Sequence, residues 1–137
     1  MASINVRIEH RNLSQTDGQR GHDLRQGATP EYVDPGRTHL NSTLIAPRPG
    51  VAMRDRAAER RAHRSPPPRR RLRSDANVAT TGILTFSRDA QGIVNSLDYA
   101  EQHRRVFASA RRLAAELDTE LTGLVVHRDE SAIHAHI

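Results

Sequence analysis

A histidine-rich stretch at residues 127–137, HRDESAIHAHI, sets stronger limits on the fold than any other part of the sequence. It is too short for two helices and a loop, and the apolar run LTGLVV immediately before it is typical of a buried strand. Residues 129–131 are turn formers, and residues 133–137 can return as a second strand. The segment therefore predicts a β-hairpin that carries three histidines and two acids.

Strand geometry determines where these histidines point. Side chains alternate between the two faces of a strand, so His134 and His136 lie on the same face. His127, at the end of the facing strand, can complete a cluster of three imidazoles, a ligand set suited to one divalent metal ion. The alternative is a polar hairpin of solvated histidines. The apolar residues Leu124–Val126 disfavour it, because they indicate that the first strand runs through the interior.

The remaining pattern predicts an α+β fold, an antiparallel β-sheet with helices packed on one face. Residues 4–8 alternate apolar and polar side chains, which is typical of a half-buried strand, and the β-branched run at 77–86 predicts a central strand. Residues 89–95 are expected to form a turn. Ser96 is then placed to cap a long amphipathic helix that ends near Asp118.

Positive charge is concentrated in residues 47–73, which hold ten arginines against two acids, a local charge of +8 within a net charge of +5. Residues 53–63 predict a weakly amphipathic basic helix, which the SPPP run at 65–68 would end. We interpret this arginine-rich segment as an insertion that contacts polyanions, with a solvated insertion as the alternative. Earlier in the chain, residues 11–27 predict a loop or a short helix.

The composition excludes several classes of protein. Cysteine is absent, so the chain has no disulfide, no thiolate metal site and no cysteine nucleophile, which fits a cytoplasmic protein. No apolar run approaches the length of a membrane span, and the first ten residues are too polar for a secretory signal. A length of 137 residues predicts at most one domain.

Taken together, the sequence resembles the N-terminal part of the Mob/Pre plasmid mobilisation and recombination proteins, the MobV-type relaxases of the HUH endonuclease superfamily. The resemblance lies in the strand at 4–8 with the HDLR loop at 22–25, in VDPGRTHLN at 33–41, and in HRDESAIHAH at 127–136. The RLRSDA segment at 71–76, which leads into the central strand, is also similar. These matches span nearly the whole chain.

The resemblance implies a site-specific single-strand DNA endonuclease and strand transferase that acts at a plasmid transfer origin, on single-stranded or hairpin DNA. It implies that His127, His134 and His136 bind a divalent metal ion. Because Mg²⁺ prefers oxygen ligands, we favour Mn²⁺ at a site of three imidazoles, with Mg²⁺ as the other choice.

The resemblance also implies which residues act on DNA. His22 falls at the position of a histidine nucleophile, whereas most HUH enzymes attack with tyrosine. Glu130 or Asp129 would lie near this imidazole and favour its reactive tautomer, with Glu130 also available as a further metal ligand. Tyr32 and Tyr99 are the next choices for the nucleophile. Six further side chains are expected to bind DNA, namely Arg7, Arg25, Arg37, Asn41, Arg71 and Arg73.

Two other functions stay open at this point. A catalytically inactive remnant would bind DNA without cleaving it, and a metallohydrolase unrelated to DNA would also use His-x-His with acids. The resemblance further implies that residues 1–137 are the N-terminal part of a relaxase catalytic domain with a basic insertion at 47–73. The rest of that domain, and the dimerisation region through which a homodimer would form, are expected to be missing from this sequence.

Overall fold

One five-stranded antiparallel sheet organises the protein, with the strands in the order β1-β3-β5-β4-β2. The computed structural model describes all 137 residues. The elements in chain order are β1 (Ile4–Arg11), α1 (Leu13–Asp23), a 3₁₀ helix (Pro35–Leu40), β2 (Ser42–Ile45), α2 (Gly50–Ala62), β3 (Ala79–Phe86), α3 (Arg88–Ser96), α4 (Tyr99–Glu116), β4 (Leu124–His127) and β5 (His134–His136).

The predicted histidine hairpin is present. Strands β4 and β5 pair antiparallel, with His127 opposite His134 and Val125 opposite His136. The first strand is shorter than predicted and begins at Leu124, because Gly123 before it packs closely against Pro47 instead of continuing the sheet. The hairpin lies between β3 and β2, so its histidines are held in the middle of the sheet.

The two faces of the sheet have different chemistry. Leu84, Val126 and Ala135 point to one face, where they form the hydrophobic core with α3 and α4. The histidines of β5 alternate with Ala135 and point to the opposite face, where His136 contacts α1 through Asp23. The prediction that helices cover only one face is therefore wrong. Helix α1 has a polar sequence, LSQTDGQRGHD, and packs through hydrogen bonds, so it carries no apolar stripe that could reveal it.

Strand β1 is confirmed, but the prediction that it is half-buried is wrong. It forms an edge of the sheet, paired only with β3. Ile4, Val6 and Ile8 are 50%, 42% and 40% exposed, although the register aligns them with the strand β3 that carries Leu84 and Phe86. They lie outside the core because α3 and α4 pack over the neighbouring strands. The alternation of apolar and polar residues thus predicted the strand correctly, but it did not show whether a helix packs over the strand.

The segment between β3 and β4 differs most from prediction. The turn expected at 89–95 is helix α3, capped by Ser87, and the N-cap of the long helix is Asp98 rather than Ser96. Gly92 is a weak helix former and favoured the prediction of a turn. Tertiary packing overrides it, because Ala90 and Val94 lie one turn apart and both enter the core.

The other predicted elements are present. Strand β3 has neighbours on both sides, as expected for a central strand, and the region at 11–27 contains α1. Helix α2 is the basic helix predicted at 53–63 and ends before the SPPP run. None of the helices combines the length and the apolar character needed to cross a membrane.

Candidate metal centre

The three histidines of the hairpin converge as the sequence predicts. The ring centroids of His127 and His136 are 4.5 Å apart, those of His134 and His136 are 5.0 Å apart, and those of His127 and His134 are 5.2 Å apart. Glu130 joins them, with its Oε2 3.1 Å from His134 Nε2 and 3.5 Å from His127 Nδ1. One potential ligand atom from each of these four residues lies within 4.8 Å of the others. The turn between β4 and β5 places Glu130 over the paired histidines.

A hydrogen bond to the other nitrogen of each ring fixes its tautomer. His127 Nε2 lies 2.7 Å from the carbonyl oxygen of Asp23, and His134 Nδ1 lies 2.9 Å from that of Ala132. His136 Nδ1 lies 3.0 Å from the carboxylate Oδ1 of Asp23. These oxygens can only accept, so each of these nitrogens donates an N–H, and in the neutral form of the ring the opposite nitrogen carries the lone pair.

The donor set fits a divalent metal ion. His136 Nε2 is buried and has no hydrogen-bond partner, so its lone pair is left for a ligand. Burial lowers the pKa of His127 to about 4, which keeps its imidazole neutral near pH 7 as metal ligation requires. Three imidazole nitrogens and one carboxylate suit Mn²⁺ better than Mg²⁺, which prefers oxygen ligands.

His22 lies beside this cluster, at the end of α1. Its ring centroid is 5.5 Å from that of His136 and 6.0 Å from that of His127. Burial, followed by the nearby His136 and Arg25, lowers the pKa of His22, so the imidazole is neutral near pH 7 and retains a lone pair. Its closest polar contact is a 3.5 Å approach of Arg25 to Nε2.

The two tyrosines are not equivalent in this structure. The ring centroid of Tyr32 is 6.4 Å from that of His22, and its side chain is exposed. Tyr99 begins α4 on the other face of the sheet, where its ring stacks on the guanidinium of Arg128 at 3.9 Å. The structure therefore places Tyr32, and not Tyr99, beside His22.

Arg25 and Asp129 form a buried ion pair next to the cluster. Arg25 donates from Nε and NH2 to the two carboxylate oxygens of Asp129 at 2.9 and 2.8 Å, and NH2 also donates to Glu130 at 2.7 Å. Arg25 has a backbone φ of +54°, which a residue other than glycine rarely adopts, and these bonds hold it there. Asp129 is also bonded by Thr38 and Asn41, each at 2.9 Å.

This network determines the charge of Asp129 and the contacts it can make. Burial raises the pKa of its carboxyl, but hydrogen bonds from Arg25, Asn41 and Thr38 outweigh this and hold the pKa well below its usual range. The carboxylate is fully buried and faces Arg25 rather than the ring of His22. Asp129 therefore orients Arg25, and Asn41 bonds both Asp129 and the backbone N–H of Arg128.

The remaining residues predicted to contact DNA are exposed. Arg7 lies in register with Ile83 and His136, on the face that carries the histidines. Arg37 is exposed in the 3₁₀ helix. Arg71 and Arg73 follow α2 in an irregular segment, where Arg73 pairs with an acid at 3.0 Å. None of these four arginines touches a histidine of the cluster.

Sequence reasoning missed four residues of the site and its surroundings. Asp23 fixes His136 and is itself bonded by Gln19 at 2.7 Å, while Thr38 bonds Asp129. Arg128 holds the turn from the opposite side of the sheet. Asp23 and Arg128 each directly follow a predicted site histidine, and this adjacency was the one local signal for them.

The chain is similar to one protein family and to several solved structures. The family model described as plasmid recombination enzyme, Mob/Pre, matches residues 1–137. Three crystal structures of the Mn-bound MobM relaxase domain (MOBV; Mob_Pre) with plasmid pMV158 oriT DNA are similar. At pH 6.8 the TM-score is 0.74 with 25% identity, at pH 4.6 it is 0.74 with 26%, and at pH 6.5 it is 0.71 with 25%. The matches cover 97% of this chain and 66–67% of those chains. No match is found among curated proteins.

Proposed function

This chain belongs to the Mob/Pre family of plasmid recombination enzymes, and on that basis we propose that it is a relaxase, which nicks and rejoins one DNA strand at a plasmid transfer origin. The observation that carries this proposal is the convergence of three imidazole lone pairs and the Glu130 carboxylate beside the ring of His22. The similar MobM relaxase domain is bound to oriT DNA and to Mn. The substrate of this chain is then single-stranded or hairpin DNA of such an origin.

We propose His127, His134 and His136 as the metal ligands, with Glu130 as a fourth. A divalent ion bound there supplies Lewis-acid chemistry, because it neutralises charge that builds on the nonbridging oxygens of a scissile phosphate. The protein's own contribution is to hold the imidazoles in the correct orientation. Asp23 does this for two of them, through its carbonyl and its carboxylate.

We propose His22 as the nucleophile. Its neutral nitrogen would attack the phosphorus, so that a P–N bond forms while the P–O bond to the departing deoxyribose breaks. That oxygen would take up a proton, which is balanced by the N–H proton that the phosphorylated imidazole releases. The resulting phosphoramidate preserves the energy of the phosphodiester, which allows the strand to be rejoined. Arg25 would act next to it. Its NH1 makes only long contacts of 3.5 Å to His22, so this part of the guanidinium stays available to a phosphate.

DNA contacts outside the centre are proposed for the arginine-rich segment. Residues 47–73 carry a local charge of +8, and exposed arginines follow α2. Arg7, on the histidine face of the sheet, and Arg37 would add contacts nearer to the reacting phosphate. The cytoplasmic location, the division of the chain into a catalytic domain with a basic insertion, and the homodimer stay predictions.

A nicking assay tests the function. Purified protein is incubated with supercoiled plasmid carrying the origin of its own plasmid, with and without Mn²⁺. Metal-dependent relaxed circles with protein attached to a DNA end are expected. DNA binding without nicking at any Mn²⁺ concentration would instead favour the inactive remnant, and turnover of a small ester without DNA cleavage would favour an unrelated metallohydrolase.

Matched variants identify the nucleophile. His22→Ala is expected to abolish the covalent protein–DNA product while leaving Mn²⁺ affinity within about twofold of the wild type, since His22 is not among the proposed ligands. Tyr32→Phe is the control and should nick normally. A nicking His22→Ala variant, together with an inactive Tyr32→Phe variant, would transfer the role to Tyr32.

A further inference from the structure

Arg128 lies between two residues of the site and points away from it. His127 and Asp129 face the metal centre and Arg25, whereas the guanidinium of Arg128 extends towards α4. Only 5% of the residue is exposed. The mechanism above does not use this residue, yet taking a charge out of water is costly unless the group is well bonded.

Helix α4 supplies one set of partners. Gln102 Oε1 accepts from Nε and NH2 of Arg128 at 3.2 and 2.9 Å, and Gln102 is itself fixed by donating to the carbonyl of Val94 at 2.9 Å. His103 Nε2 accepts from NH2 at 2.9 Å, and burial together with this guanidinium lowers the pKa of His103 and keeps it neutral. The ring of Tyr99 stacks on the guanidinium at 3.9 Å.

The junction between the 3₁₀ helix and β2 supplies the other set. The carbonyl of Leu40 and the hydroxyl of Ser42 each accept from NH1 of Arg128 at 2.8 Å. All of these hydrogen-bond partners are uncharged, so the position of the guanidinium depends on the geometry of several bonds rather than on one ion pair. A planar fork of five N–H donors reaches both elements at once, which a lysine ammonium group does not.

A continuous set of hydrogen bonds leads from Arg128 to the site. Its backbone N–H donates to Asn41 Oδ1 at 2.7 Å, and Asn41 Nδ2 donates to Asp129 at 2.9 Å. Asp129 in turn holds Arg25, which donates to Glu130 at 2.7 Å. The turn that carries Glu130 is therefore fixed from both sides of the sheet.

We propose that Arg128 is a positioning residue for the nicking site. Its guanidinium fixes the turn at 128–131 against α4 and β2, and thereby sets where Glu130 and Arg25 lie relative to the histidines. The nicking readout of this inference rests on the proposed function, whereas Mn²⁺ affinity measures the same positioning without it.

The test compares Arg128→Lys, which keeps the charge but loses the fork, with Val106→Ala. Val106 is 2% exposed in the core face of α4, so its truncation destabilises the same helix without removing a bond to the turn. For Arg128→Lys, we expect the dissociation constant for Mn²⁺ to rise about tenfold and the nicking rate constant at saturating Mn²⁺ to fall about tenfold, with KM for DNA unchanged. Val106→Ala should lower the melting temperature and leave Mn²⁺ affinity unchanged.

Two outcomes overturn the proposal. In the first, Arg128→Lys binds Mn²⁺ as tightly as the wild type. In the second, Val106→Ala has the same melting temperature as Arg128→Lys and loses as much Mn²⁺ affinity. If Arg128→Lys does not fold, Ser42→Ala tests the proposal instead, because it removes one hydrogen-bond acceptor of Arg128. Weaker Mn²⁺ binding by Ser42→Ala supports the proposal, and unchanged binding overturns it. A wild type that binds Mn²⁺ without nicking refutes the relaxase function, while the comparison of Mn²⁺ affinities still decides the role of Arg128.

Discussion

Replacing Asp23 tests whether the metal centre depends on a fixed imidazole tautomer. The Oδ1 of Asp23 lies 3.0 Å from His136 Nδ1 and accepts a 2.7 Å hydrogen bond from Gln19. The side chain is only 8% exposed, so water is a poor substitute for the lost acceptor. Without it, the proton of His136 is free to move to Nε2, the nitrogen that points to the metal centre.

The expected size of the effect follows from the hydrogen bond between Asp23 and His136. Asp23→Asn keeps an oxygen in place but removes the charge. A hydrogen bond to a charged group contributes about 1.5–3 kcal/mol and a neutral one about 1 kcal/mol, so the loss is about 1 kcal/mol, or about fivefold in the dissociation constant for Mn²⁺. Asp23→Ala removes the acceptor altogether, for a loss of about 2 kcal/mol, or about thirtyfold. The thirtyfold loss lies within the range of about 10–100-fold that outer-shell partners of metal-binding histidines contribute, and the fivefold loss lies just below it.

Isothermal titration with Mn²⁺ measures both variants directly. The matched control is Asp17→Asn on the same helix, whose Oδ1 accepts from the N–H of Gly50 at 2.6 Å and touches no histidine. Its Mn²⁺ affinity should equal that of the wild type. If Asp23→Ala bound Mn²⁺ as tightly as the wild type, the argument from fixed tautomers would be refuted, whatever the variant did to nicking.

Three other expectations rest on different parts of the structure. Arg25→Met leaves the fully buried carboxylate of Asp129 without its ionic partner. Urea denaturation should therefore show a loss of about 3 kcal/mol in the free energy of unfolding. A loss under about 1 kcal/mol would contradict a buried ion pair. Replacing the arginines at 69–71 by glutamine should reduce the slope of log Kd against log salt concentration for single-stranded DNA by about 2, and an unchanged slope would remove them from the interface. Hydrogen bonds from Arg104 and Arg105 lower the pKa of Glu101 to about 2. The stabilisation from these bonds is therefore present above the ordinary pKa of a glutamate and lost as the pH falls towards 2. An NMR titration of Glu101 should give this midpoint, and Arg104→Gln should raise the pKa of Glu101.

The histidine cluster was predictable because it depends on local geometry alone. The period of two along a strand places His134 and His136 together, and a short turn brings back His127. Each of these steps involves residues within ten positions of one another. The hairpin, the central strand and the basic helix were also predictable, because each depends on residues that are close together in the sequence.

The residues that hold the cluster in place were not predictable in this way. Asp23 meets His136, and Arg128 meets Leu40, across large distances in the sequence. The sequence marks such residues only as polar, and polar residues are usually exposed. Their roles follow from the sheet order, which places β5 next to β3 and β4 next to β2, and a pattern of alternating residues does not specify that order.

The charges of the site show why the cation and the DNA should act together. Asp23, Asp129 and Glu130 contribute three carboxylates, and the guanidinium of Arg25 offsets one of them. Burial lowers the pKa of His127 to about 4 and lowers that of His22, so these imidazoles add no positive charge near pH 7. Among these groups the carboxylates outnumber the guanidinium by two, and this excess of negative charge opposes the approach of a phosphate to His22. A divalent cation held by the proposed ligands would offset this excess, and it would thereby weaken the repulsion between the site and a DNA phosphate near His22.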